Sequence, residues 1–297
     1  MEDLVNTECD FMMERELKRR NPDLFKRFQD SVFVLNRMLS GYQHFFPNFT
    51  DHTELHSLNV IDYCNHVIGP ENCKKLNDDE IYCLLMGCYL HDVGMGIAES
   101  DYEHFLGEIK QHVKVPDLNE DDRPDTIRRM HHEFSGCFIH KYAMLFDFPS
   151  EEHTFAIAEI SRGHRKTDLY DKEEYPAHMK LSNGNTLCLP YLSSLIRLAD
   201  EIDVAADRNT TLLYDINDYT EECDIIAFHV HDAIKTLRIE PDSFTLCVQT
   251  DDPRMLEEVG VLMGKMQKTL DYCRRVTEEL TSFRISQKEI KMEMIEG

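Results

Sequence analysis

The chain has 297 residues, 42% of them hydrophobic, enough to bury one large core or a core with an appended unit. Asp and Glu number 56 against 32 Lys and Arg, and the resulting net charge of −24 repels duplex DNA and anionic lipid at long range. No apolar run approaches a membrane span, Met1-Glu2-Asp3-Leu4 lacks the regions of a signal peptide, and ten cysteines without Cys-x-x-Cys spacing exclude a zinc ribbon or secreted disulfide framework, so a cytoplasmic protein with free thiols is expected.

In chain order, the stretch to about residue 45 reads as helical with a break at Asn21 or Pro22, because Phe25, Phe28, Val32, Leu35, Met38 and Leu39 recur at helical spacing. A second helix is expected from Thr53 to Ile68, stopped by Gly69-Pro70, with Leu55, Leu58, Ile61 and Val67 as its apolar stripe. Asn77 followed by Glu80 is a capping-box signature for a third helix. Ile81, Leu84, Leu85, Cys88 and Tyr89 form its buried face, and His91-Asp92 close it, with Gly94 and Gly96 supplying permissive backbone just after. A short helix over Asp101 to Val113 precedes an acidic loop through Asp117, Glu120, Asp121 and Asp122, either a lid or an insertion. Further helices run from Asp125 to Phe146 and from Pro149 to near His164. After a loop rich in Asp, Lys, Asn and Gly, another runs from Leu189 to Ala205.

Past Arg208 the pattern changes. Lys235 to Glu240 and Phe244 to Thr250 alternate around Pro241-Asp242-Ser243, which reads as a β-hairpin. A long helix follows from Pro253 to Phe283, with Met255, Val259, Leu262, Met266, Leu270 and Cys273 on one face. The expected division is residues 1–208 as a helical domain and 209–297 as a small α+β appendage. The last helix's apolar face suits packing on its own domain and is also compatible with a homodimer.

The pair His91-Asp92 is the most informative feature. A histidine nitrogen beside a carboxylate oxygen suits a divalent ion of mixed N/O preference, and a helix end lets both groups aim at one point. Glu54-Leu55-His56-Ser57 stands upstream; His131-His132-Glu133, Arg162-Gly163-His164-Arg165 and Arg197-Leu198-Ala199-Asp200 stand downstream. This order of His, His-Asp, His, His and Asp on successive helices, over roughly residues 50 to 208, resembles the HD superfamily of metal-dependent phosphohydrolases.

The resemblance implies a mainly α HD-type bundle and a first metal set of His56, His91, Asp92 and Asp200, with Asp92 bridging to a second ion completed by His132 and His164. One or two ions of Mn, Fe, Zn, Co or Ni fit such ligands, Mg less well. The implied reaction is hydrolysis of a phosphoester or phosphoanhydride by metal-bound hydroxide. His132 is preferred to His131 because His132-Glu133 resembles the family's His-Glu step, and Asp200 to Asp203, which is left for an outer position or solvent. His164 is either a ligand or a general acid. Arg128, Arg129, Arg162, Arg165, Lys166 and Arg197 concentrate positive charge near these motifs, and Arg165 and Lys166 are the better phosphate candidates. The catalytic set is therefore Asp92, His164, Arg165 and Lys166.

The branch is narrowed by what is missing. No Gly-Tyr-Pro follows the double histidine, as cyclic-di-GMP hydrolases have, and Met95 stands where dNTP triphosphohydrolases carry a further histidine. The acidic pair of alarmone hydrolases is absent. The chain looks more like bacterial HD proteins, some of whose domains are joined to ATPase modules of the Hsp90 type, although no such module is evident in it. The expected ligand is a small phosphorylated molecule, a nucleotide first, with neither duplex DNA nor membrane as partner. The alternative is a non-catalytic metal- or nucleotide-binding regulatory module signalling through its appendage.

Overall fold

The structure, a computed structural model, describes residues 11–39, 54–113, 123–205 and 222–296. The acidic loop at 117–122 lies outside these residues. Helix α1 (Met12–Arg20) breaks from α2 (Pro22–Leu39) at Asn21, whose side chain accepts the Leu24 N–H at 3.1 Å. Helix α3 (Glu54–Cys73) kinks at Gly69, where φ is 65° and Pro70 follows, so its regular part stops where the Gly-Pro pair stops it. Leu55, placed in its apolar stripe from spacing, is 41% exposed. Helix α4 (Asp78–Leu90) opens with the full capping box: Asn77 accepts from Glu80 N–H and Glu80 accepts from Asn77 N–H, both at 3.0 Å.

Helices α5 (Glu99–His112), α6 (Arg123–Tyr142), α7 (Glu151–Arg162) and α8 (Leu189–Ile202) complete the bundle. Every residue of α4 from Asp79 to Leu90 is buried, and the helix packs against α1, α2, α3, α7 and α8. A helix apolar on all sides belongs at the centre of a domain. His91-Asp92 therefore emerge in the middle of the bundle.

Helix α9 (Glu222–Ala233) leads into the hairpin of β3 (Ile234–Ile239) and β4 (Ser243–Val248). The expected hairpin is there, and it gains a third strand that the alternation pattern did not announce: β5 (Glu289–Met294) pairs parallel to β4. A two-residue ladder, β1 (Met179–Lys180) with β2 (Thr186–Leu187), stands in the stretch read as loop. Helix α10 (Pro253–Leu280) packs along α8 and against β5, burying Val259, Met266, Leu270 and Cys273, with Met255 and Leu262 half-buried. The architecture is the mainly α one expected, with a small C-terminal sheet and a long helix. Among the described residues no single helix is long and apolar enough to cross a membrane.

Candidate metal centre

Five elements, α3, α4, α6, α7 and α8, deliver the histidines and carboxylates of the motifs to one place. His91 caps the end of α4, and Asp92 leaves helical geometry (φ −101°, ψ 5°) ahead of a 3-10 turn over Val93–Gly96. This change of backbone lets the adjacent side chains converge, which a regular helix would prevent. Ser135 of α6 fastens the turn: its hydroxyl donates to His91 O at 2.6 Å and accepts from Gly94 N–H at 2.8 Å. Gly94 has no positive φ. It is needed because a Cβ there would lie 2.1 Å from His131 O and 2.6 Å from Ser135 N, so only glycine lets α6 approach.

Asp92 faces two ways. Its Oδ2 lies 3.3 Å from His91 Nε2 and 3.4 Å from His56 Nε2, and Asp200 Oδ1 lies 3.4 Å from the same His56 nitrogen. Its Oδ1 lies 3.3 Å from His131 Nε2 and 3.5 Å from His164 Nε2. His56 Nε2 is 3.0 Å from His91 Nε2, and His131 Nε2 is 2.9 Å from His164 Nε2. Two ligand-like groups share one carboxylate: His56, His91 and Asp92 with Asp200, and Asp92, His131 and His164.

The other ring nitrogens fix the tautomers. Nδ1 of His91, His131 and His164 meets the carbonyl oxygen three residues earlier, on Cys88, Arg128 and Ser161, at 2.8, 2.7 and 2.5 Å. A carbonyl only accepts, so each Nδ1 carries a proton and Nε2 is the atom that each ring turns inward. Nδ1 of His56 meets Asp203 Oδ2 at 2.6 Å, with the same result. Burial, then the neighbouring His91 and His131, hold His164 well below the ordinary imidazole range and keep it neutral.

Four Nε2 atoms and the carboxylates of Asp92 and Asp200 thus converge at one place. Each group offers donors that a divalent cation could take. The spacing also fits. Two nitrogens about 2.1 Å from one ion and at about 90° stand about 3.0 Å apart, the arrangement of neighbours in an octahedral shell.

Of the expected site residues, the structure brings together His56, His91, Asp92, His164 and Asp200. It places His131 rather than His132 in the second group. The two residues are adjacent on α6, and the ring that reaches Asp92 belongs to His131. His132 points aside, its Nε2 3.5 Å from Glu133 Oε1 and its buried Nδ1 without a hydrogen-bond partner among the described residues. Asp203 is fully buried, takes His56 Nδ1–H, and receives Asn59 Nδ2–H at 3.3 Å, so it backs His56 rather than facing solvent.

The arginines divide. Arg162 is spent on Glu133 (2.9 and 3.2 Å) and Glu159 (2.6 Å). Arg197 donates to Gly163 O, Thr167 O and Thr167 Oγ1. Arg165, half-buried beside His164, has no hydrogen-bond or ion-pair partner among the described residues, and Lys166 is exposed.

A family model described as HD-CE matches residues 46–282, which take in α3 through α10. No curated protein matches the chain.

Proposed function

The chain belongs to the HD-CE family, and from that premise we propose that it is a metal-dependent phosphohydrolase of small phosphorylated molecules, nucleotides first among them. The observation that carries the reading is the convergence of four Nε2 atoms on the two oxygens of Asp92. His56, His91, Asp92 and Asp200 would hold one ion, and Asp92, His131 and His164 a second. Divalent ions there would polarise a phosphoryl oxygen and lower the pKa of water for attack near neutral pH.

The chain's own residues do the rest. Asp92 spans both groups and fixes their separation. Asp203 and three helix-end carbonyls hold the imidazoles in the tautomer that offers Nε2. Arg165 offers a planar fork for phosphate oxygens and Lys166 a second positive charge, whereas Arg162 and Arg197 are committed elsewhere. The net charge of −24 disfavours long polyanions and leaves small phosphoesters as the substrate class.

Elemental analysis of the purified protein, with turnover of a nucleotide and phosphoester panel, tests this reading. Wild type is expected to carry between one and two divalent ions per chain. Asp92→Ala should lose both ions and all turnover, His131→Ala should lose one, and His132→Ala should keep the wild-type count. A wild type that takes up neither Mn, Fe nor Zn on reconstitution would falsify the proposal. Metal uptake without turnover of any phosphoester would leave the regulatory binding module.

A further inference from the structure

Residues 163–169 leave the end of α7 carrying His164, Arg165 and Lys166, the groups nearest to metal and phosphate chemistry. Two side chains outside this turn hold it. Arg197 of α8 donates through Nε to Gly163 O at 2.7 Å and through Nη2 to Thr167 O at 2.8 Å and Thr167 Oγ1 at 3.0 Å. The residues it grips bracket His164 to Lys166. Arg197 is 8% exposed and has no carboxylate partner among the described residues. Its guanidinium lies over the ring of Tyr272, 5.0 Å from the centroid.

Tyr272 belongs to α10, and its hydroxyl reaches the far end of the same turn. It accepts the Leu169 N–H at 2.8 Å and donates to Asp168 Oδ1 at 3.2 Å. The turn is therefore hung between α8 and α10, with Arg197 holding positions 163 and 167 and Tyr272 holding 168 and 169. A second tie runs beside Asp200, where Glu201 pairs with Lys265 of α10 at 3.0 Å.

We infer that the long C-terminal helix is a working part of the centre, and that Tyr272 and Arg197 are positioning residues that set His164 Nε2 opposite His131 and aim Arg165 at a bound phosphate. The inference rests on the metal reading for its consequence and on these contacts for its mechanism. The second ion group has three protein donors, one of them His164 on the turn, whereas the first has four, none of them on the turn. Loosening the turn therefore weakens one ion selectively, since ligands held about 1 Å out of place lose their shared geometry.

Titration of the metal-stripped full chain with Mn2+ by calorimetry, together with amide hydrogen exchange, tests the inference. Tyr272→Ala removes the ring beneath Arg197 and both hydroxyl bonds; Tyr272→Phe removes the hydroxyl bonds alone. Tyr272→Ala is expected to weaken the second ion about tenfold or more, within the range for lost supporting contacts, and to leave the first ion unchanged. Tyr272→Phe should give a smaller loss in the same ion, with faster exchange at the Leu169 amide in both variants. A purely structural role would lower melting temperature and weaken both ions alike, and that result overturns the inference. So does unchanged affinity for both ions once Leu169 has lost protection. If Tyr272→Ala does not fold, the Phe variant decides on the same readings. Should wild type bind no second Mn2+ ion, the metal reading loses that site, and the clamp stands or falls on whether exchange of residues 163–169 quickens.

Discussion

Burial pushes the Glu14 carboxyl up to about 7 from an ordinary 4.5, against a backbone hydrogen bond at Phe11 that pulls it down. A raised folded-state value means that the group's contribution is intact below pH 4.5 and is lost as pH rises through about 7. Glu14→Gln should thus stabilise the protein by on the order of 2–3 kcal/mol at pH 8 and by little near pH 4.5, read from urea unfolding at both values. An equal effect at the two pH values would contradict that origin. The same scale shows what single residues reveal. His56, His91, Asp92, His164 and Asp200 were legible because each sits in a short motif of its own. His131 was not, because α6 buries both neighbours of the histidine pair together with the pair itself, which erases the stripe that would have set the helix phase. Asp203 lies one residue past the end of α8, where the chain leaves helical geometry and residue spacing no longer predicts direction. The fates of Arg162 and Arg197 depended on carbonyls and carboxylates remote in sequence.

Elements that end on strong local chemistry were readable: the Asn77–Glu80 box, the Gly69-Pro70 stop and the hairpin around Pro241-Asp242. Strand β5 was not, because a parallel edge strand of six residues has no turn to mark it and its pairing partner lies more than forty positions earlier. The contact between α6 and the turn after α4 is the element-scale determinant of the centre, since it sets Asp92 against His131. Gly94→Ala forces a methyl against His131 O and the Ser135 amide, neither of which is a flexible side-chain end. It should cost about 2–3 kcal/mol, as overpacking against fixed atoms does. It should also lower metal occupancy in the molecules that still fold, measured by chemical denaturation and elemental analysis. A Gly94→Ala protein with wild-type stability would show that α6 can retreat.

At the scale of the whole molecule, the chain concentrates imidazoles and carboxylates at its centre within a body of net charge −24. The proposed ions would offset the mutual repulsion of the groups at that centre, so the proposal couples folding to ion binding. At an ion concentration a hundred times the dissociation constant, one site adds about 2.7 kcal/mol. For a chain of this size that corresponds to a rise in melting temperature of about 5 °C or more over the chelated protein, absent in Asp92→Ala. Calorimetry with EDTA and with excess Mn2+ measures it, and coincident transitions for the two wild-type samples would remove the linkage. The four imidazoles also differ in what fastens them. Three are tied to peptide carbonyls of Cys88, Arg128 and Ser161, a group that every amino acid carries, so substitution at those positions leaves an acceptor in place. His56 alone hangs on a side chain, Asp203. Mutational drift can therefore retune the electron donation of this centre through a single outer residue, while the remaining three arms are insulated from sequence change by the backbone itself.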